Sequence, residues 1–263
     1  MKISSLFLGL ALTAWAVTGC EKKKGDDPNL VAKTGELSIE MEHVVGAGVL
    51  KLATAPTTYD YATPSGDPFN VTTFRYYVSN IRLRRADGTE YVQPNSYYLV
   101  DEAKPAYKLL TIKDVPVGDY TGLSFLIGVD APRNTAGVQE NALAPSDMFW
   151  SWTTGYIFVK MEGYSPVATS STRFMQFHIG GFEGPNNALK TVSPALPAGV
   201  KVLVRADHSP AIHLKVDVLK MFTGPNTVRF GSFAIPHGPG ANAVKIAENY
   251  AAGMFTVEHV YAN

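Results

Sequence analysis

The sequence predicts an all-β fold, an antiparallel β-sandwich of immunoglobulin-like two-sheet architecture with long loops and little helix. Three observations predict it. Apolar and polar residues alternate with period two through segment after segment; Leu37, Ile39, Met41, His43 and Val45 share one face, and Ser38, Glu40, Glu42 and Val44 the other. Clusters of Gly, Pro and Asn divide these segments at the spacing of turns. Helical periodicity is scarce, while 46% hydrophobic and 11% aromatic residues are enough to fill a large core without disulfides.

From the N-terminus, Lys2, the apolar run Leu6 to Val17 and the small-residue approach to Cys20 read as a signal peptide, residues 1–19. The run falls short of the roughly 20 residues that cross a bilayer. The ending Gly19-Cys20 resembles the lipobox of bacterial lipoproteins, which implies cleavage before Cys20 and lipid attachment at its sulfur. Cys20 is the one cysteine of the chain, so no internal disulfide can form, and a lipid thioether would leave no thiol for redox chemistry. Residues 20–35 form a disordered tether, because Glu21 to Asn29 is charged, rich in breakers and has no apolar face to bury. Residues 36–263 then fold as one β-sandwich domain, with no internal linker.

Within that domain the first strand is Glu36 to Val45. Val71 to Leu83 follows, then an Asp87-Gly88 turn into Tyr91-Val92, and after it Tyr97 to Val100 and Lys108 to Ile112. Val115 to Asp119 is a turn feeding Tyr120 to Val129. Later strands are Gly155 to Met161, Thr172 to Ile179, Val200 to Arg205, Ile212 to Leu219 and Phe255 to Val260. The best helix signal is Ala241 to Tyr250, and the insertion Asp130 to Asp147 has room for a turn of helix. That insertion and Gly180 to Pro197 are long loops on which a rigid scaffold could carry a site.

The 23 basic and 23 acidic residues are interspersed, and no basic patch interleaves with aromatics, which argues against nucleic acid as a partner. The chain has no Gly-x-Ser-x-Gly elbow, His-Glu-x-x-His helix motif, phosphate-cradling glycine loop or cysteine nucleophile. We therefore expect a binding protein and not an enzyme.

Strand phase sorts the six histidines. His213 falls on the polar face with Lys215 and Asp217; His208 and His237 lie in turn-like surroundings, and His259 stands near the C-terminus. His43 and His178 differ, because each ends a strand beside glycines, Gly46 and Gly48 in one case and Gly180-Gly181 in the other. A buried imidazole needs a partner, which is either a core hydrogen bond or a metal. Trp150 and Trp152 share one strand phase in the densest aromatic segment, Met148 to Tyr156, where core packing is the plain alternative to a functional role.

Taken together, Tyr76-Tyr77-Val78-Ser79-Asn80-Ile81-Arg82-Leu83, Asp87-Gly88, Tyr97-Tyr98-Leu99-Val100-Asp101, Val117-Gly118-Asp119-Tyr120, Phe125 to Asp130, Met148-Phe149-Trp150-Ser151-Trp152 and Phe177-His178-Ile179-Gly180 resemble the MbnP-like copper-binding family. The similarity runs from about Leu37 to His259. It implies an extracytoplasmic β-sandwich holding one copper ion through histidine and a kynurenine, the latter made from tryptophan by a dihaem peroxidase-like oxidising partner. Carried onto this chain, the ligands are His43 and His178, and the kynurenine precursor is Trp150 or Trp152. The Trp-x-His unit used by some such copper proteins is missing here. Imidazole suits copper in either oxidation state. Since strand ends of a sandwich gather at its poles, His43 and His178 are expected to converge on the ion. The protein is then lipid-anchored in the cell envelope, at the outer membrane. The competing expectation is a structural or interaction lipoprotein of the envelope that keeps the sandwich, with both histidines satisfied in the core.

Overall fold

Leu37, Ile39, Met41 and His43 point from one strand, Thr34–Val45, into the interior, as their alternation predicts. The computed structural model describes residues 33–261 apart from 138, 145 and 152. The expected signal peptide, Cys20, the tether as far as residue 32 and Trp152 lie outside the described residues.

Among the described residues Thr34–Val45 belongs to a five-stranded sheet with Gly48–Val49, Leu109–Pro116, Ala211–Asp217 and Phe255–Tyr261. It runs antiparallel to Leu109–Pro116 and parallel to Ala211–Asp217, in register from Ser38 with Ala211 to Val44 with Asp217. The parallel pair departs from the purely antiparallel arrangement expected. Parallel neighbours need a long crossover, and most of the chain lies between these two strands.

A larger sheet faces this one. Thr73–Arg85 and Gly118–Ile127 form its centre, and Val159–Tyr164 leads to the edge strand Phe174–Ile179. Glu90–Val92, Tyr97–Asp101, Lys190–Val192 and Val202–Val204 complete the eight strands described. Thr73–Arg85 changes partners along its length through a register shift between Ser79 and Arg82, where Asn80 takes a positive φ of 52°. Asparagine is among the few residues that adopt this conformation readily. The expected single strand from Gly155 to Met161 is broken into Gly155–Tyr156, which pairs with Phe149–Ser151, and Val159–Tyr164.

The core lies between the sheets. His43 meets Phe74 edge-on at 4.9 Å between ring centroids, and Phe255 meets Tyr76 at 5.8 Å and Phe125 at 5.3 Å. Helix Ala241–Gly253 buries Ala243, Ile246, Ala247 and Tyr250 along one face, and the Tyr250 hydroxyl donates to the Ala188 carbonyl at 3.0 Å. The insertion after Asp130 holds a short helix, Ala131–Asn134, and a single 3-10 turn, Asn141–Leu143.

Register also sorts the faces of the larger sheet. Met161 stands opposite Phe74 and Phe177 on the core side, whereas Lys160 stands opposite Arg75 and His178 on the outer side.

Candidate metal centre

His43 is a satisfied core histidine. Its Nδ1 lies 2.7 Å from Glu102 Oε2 and its Nε2 2.9 Å from the Tyr76 hydroxyl. Burial lowers the His43 pKa below its ordinary 6.5, so the ring is neutral. Burial also lifts Tyr76 well above 10, so its hydroxyl keeps the proton and donates to Nε2. The Nδ1–H then donates to Glu102. Burial alone would raise Glu102, but hydrogen bonds from His43 and Lys108 outweigh it and hold the carboxyl below its usual 4.5. No nitrogen is left for a metal.

The expected convergence of His43 with His178 is not formed. His43 packs on Phe74 and Tyr76, on the core side of the larger sheet. His178 shares the outer face with Lys160 and Arg75. The sheet itself separates them, because one strand-end histidine falls on the inward phase of its strand and the other on the outward phase.

On that outer face His178 is buried, at 5% exposure, and its two nitrogens are treated unequally. Nε2 lies 2.7 Å from Glu162 Oε1, and Nδ1 is buried with no hydrogen-bond partner. The hydrogen bond from His178, helped by the charge on Lys160, outweighs burial and holds the Glu162 carboxyl below its usual 4.5. An ionised carboxylate only accepts, so in the neutral imidazole the proton sits on Nε2 and a lone pair on Nδ1. A carboxylate fixing one nitrogen of a histidine while the other stays open is the outer-shell arrangement of metal-bound histidines.

Two more groups stand near His178. The backbone N–H of His178 donates to the Pro236 carbonyl at 3.0 Å, and a parallel bridge pairs His178 with His237, so that segment covers the sheet edge. It stacks the exposed His237 ring on His178, 4.3 Å between centroids at 35°. Trp150 packs on the same segment, two residues further along. A Cβ on Gly180 would lie 2.6 Å from Trp150 Cζ3 and 2.7 Å from the Tyr156 carbonyl oxygen, so the indole sits directly over Gly180, two residues beyond His178. The Gly180-Gly181 pair thus gives room for a close approach at its first member, while Gly181 supplies a φ of +111°.

Trp150 is held by its own segment. Asp147 accepts from Arg75 Nη1 at 2.9 Å and from Lys160 Nζ at 2.9 Å, and Phe149 packs edge-on against Tyr156 at 4.9 Å. Asp101, Asp147 and Glu162 face the two cations Arg75 and Lys160, which leaves surplus negative charge beside the histidines. Glu162 and His237 are the members that sequence reasoning missed. Glu162 alternates in phase with Lys160 and could have been placed on the outer face; His237 could not, since only the tertiary path of the Pro236 segment brings it to His178.

The donors of this site fit copper, since imidazole nitrogens bind it in either oxidation state and Nδ1 of His178 is buried and unspent. Comparison with known proteins adds a lineage. A sequence profile described as MbnP matches residues 34–237. Among solved structures, MbnP from Methylosinus trichosporium is similar, with a TM-score of 0.53 and 17% sequence identity over 88% of this chain and 99% of that one. At that identity the likeness speaks for the fold. A search of curated proteins found no match.

Proposed function

The chain belongs to the MbnP family, and from that premise we propose that it is an extracytoplasmic lipoprotein that binds copper on the outer face of its larger sheet. His178 supplies the anchoring nitrogen, His237 the second imidazole, and Trp150, as kynurenine, the third donor group. The observation that carries this reading is the buried, unpartnered Nδ1 of His178, opposite a carboxylate that fixes its tautomer. An imidazole nitrogen left so would cost about 1–3 kcal/mol, which a bound ion would offset. His237 is exposed, so turning its ring toward a shared ion requires no repacking.

Copper here would be held and passed on, with no substrate chemistry. The indole is a poor ligand, whereas kynurenine offers an aryl amine and a carbonyl at the same position. That conversion requires an oxidant, and a dihaem peroxidase-like partner in the envelope is the proposed source. Trp152 is the alternative precursor. Attachment through Cys20 would keep the protein at the outer membrane, on the oxidising side of the envelope where no thiolate ligand is needed.

The test uses protein from its native host, which supplies the oxidising partner. Copper is titrated into wild type, His178→Ala, His237→Ala and Glu162→Gln against a chromophoric competitor. We expect His178→Ala to lose the site and Glu162→Gln to weaken it about 10–100-fold. Equal affinity in wild type and His178→Ala would remove the assignment. Peptide mass spectrometry on the same preparation should show about 4 Da added to Trp150, the net of oxidative opening of the indole ring and loss of one carbon as formate. Cys20→Ala should leave the membrane fraction, and an unchanged distribution would remove the lipid anchor.

A further inference from the structure

The outer face of the smaller sheet carries another cluster, unrelated to the copper reading. Among the described residues His213, Glu258 and His259 form the one group of three His, Asp or Glu donors whose ligand atoms all lie within 4.8 Å of one another. Two of the three stand beyond residue 237, outside the segment the family profile matches.

A β-bulge builds the cluster. On the antiparallel pair Ala211–Asp217 and Phe255–Tyr261, His213 stands opposite His259, but the next pair is Leu214 with Val257. Glu258 is the extra residue. In regular alternation Glu258 and His259 would point to opposite faces of the sheet, whereas a bulge re-aims one of them. Both therefore reach His213: Glu258 Oε2 lies 3.2 Å from His213 Nδ1 and 3.7 Å from His259 Nδ1, and the two rings are 4.6 Å apart.

The surroundings orient each donor. Lys215 hydrogen-bonds Oε1 of Glu258, which leaves Oε2 toward the imidazoles. Glu42 Oε2 lies 3.3 Å from His213 Nε2, the far side of the ring from the cluster. Tyr261 packs edge-on against His259 at 4.2 Å. His213 Nδ1 is buried and, despite its 3.2 Å approach to Glu258, makes no hydrogen bond. A carboxylate thus stands beside each ring nitrogen of His213, and a cation at Nδ1 would be held by that nitrogen and by Glu258 together.

We propose that His213, Glu258 and His259 form a second metal site, which takes a divalent ion of the zinc type. Two imidazoles and one carboxylate are a recurrent zinc donor set, with a fourth position left for water. Around a tetrahedral ion with bonds of about 2.0–2.1 Å, ligand atoms stand roughly 3.3 Å apart. The observed spread contracts to that by rotation of half-exposed side chains, with no change in the strands.

Zinc is the probe that tests it. Zinc chloride is titrated into the full-length chain, wild type and variants, against a chromophoric chelator, with the imidazole C2–H resonances of His213 and His259 followed by NMR. We expect one equivalent of zinc to shift both resonances. We expect His259→Ala and Glu258→Gln each to weaken that binding at least about tenfold. His178→Ala should leave this site intact while losing copper, so failure of one site is read apart from failure of the other. Unchanged zinc affinity in His213→Ala and His259→Ala, at an unchanged melting temperature, overturns the proposal; so does zinc binding that leaves both resonances in place.

Discussion

A buried imidazole is stable only when both nitrogens are spent, and His43 and His178 differ in that count. His43 gives one to Glu102 and one to Tyr76; His178 gives one to Glu162 and keeps the other. The His43 network has a consequence for stability. Its folded pKa lies below the ordinary 6.5, so as pH falls the unfolded chain takes up the proton first. The stability His43 contributes is therefore present above 6.5 and declines as pH drops from there toward the depressed folded value. Urea unfolding near about pH 7.5 and about pH 5.5 should show this decline in wild type and less of it in His43→Ala. At neutral pH that variant should also lose ~1–3 kcal/mol, because Glu102 and Tyr76 lose their partner. Equal slopes with pH in the two proteins would show that His43 is not the titrating group. The sequence identified both residues as unusual, since each ends a strand beside glycines. It could not assign them to opposite sides of one sheet, because that depends on the pairing of Val159–Tyr164 with its neighbours.

At the scale of elements, strands written in regular alternation were legible and irregularities were not. Thr34–Val45, Ala211–Asp217 and helix Ala241–Gly253 follow the pattern of their apolar residues to within a few positions. The parallel pairing of the first two is a matter of tertiary path, and the bulge at Glu258 shows in the sequence only as a change of phase, with Val257 and Val260 three residues apart. His213 reads as solvated from the phase of its own strand, and nothing in the sequence brings His259 beside it. Gly180 shows the same limit in another form. It suggests flexibility in the sequence and proves to be a contact surface for Trp150 and the Tyr156 carbonyl. Gly180→Ala should accordingly displace the indole and cost ~1–3 kcal/mol, since overpacking against a backbone carbonyl cannot be relieved by a side-chain rotation. Tryptophan fluorescence and thermal unfolding check it; a variant with wild-type spectrum and stability would contradict the close packing.

Across the whole molecule, the sandwich keeps its aromatic core between the sheets and presents polar clusters on both outer faces. Copper is proposed on the outside of the larger sheet, and zinc on the outside of the smaller. Neither site interrupts the core, so a variant at either should leave the fold intact. The two-sheet architecture was predictable from period-two patterning alone, and the family resemblance named His43 and His178 with Trp150 or Trp152; His237 and Glu162 came only from the fold. Among the described residues no helix is long and apolar enough to cross a membrane; the proposed lipid attachment at Cys20 rests on the N-terminal sequence alone. The measurement that bears most directly on the copper reading is anomalous scattering at the copper edge from crystals of native-source protein loaded with one equivalent of copper. A peak at bonding distance from His178 Nδ1, between His237 and the residue-150 side chain, is the predicted result. A peak confined to His213 and His259, or at His43, would contradict it.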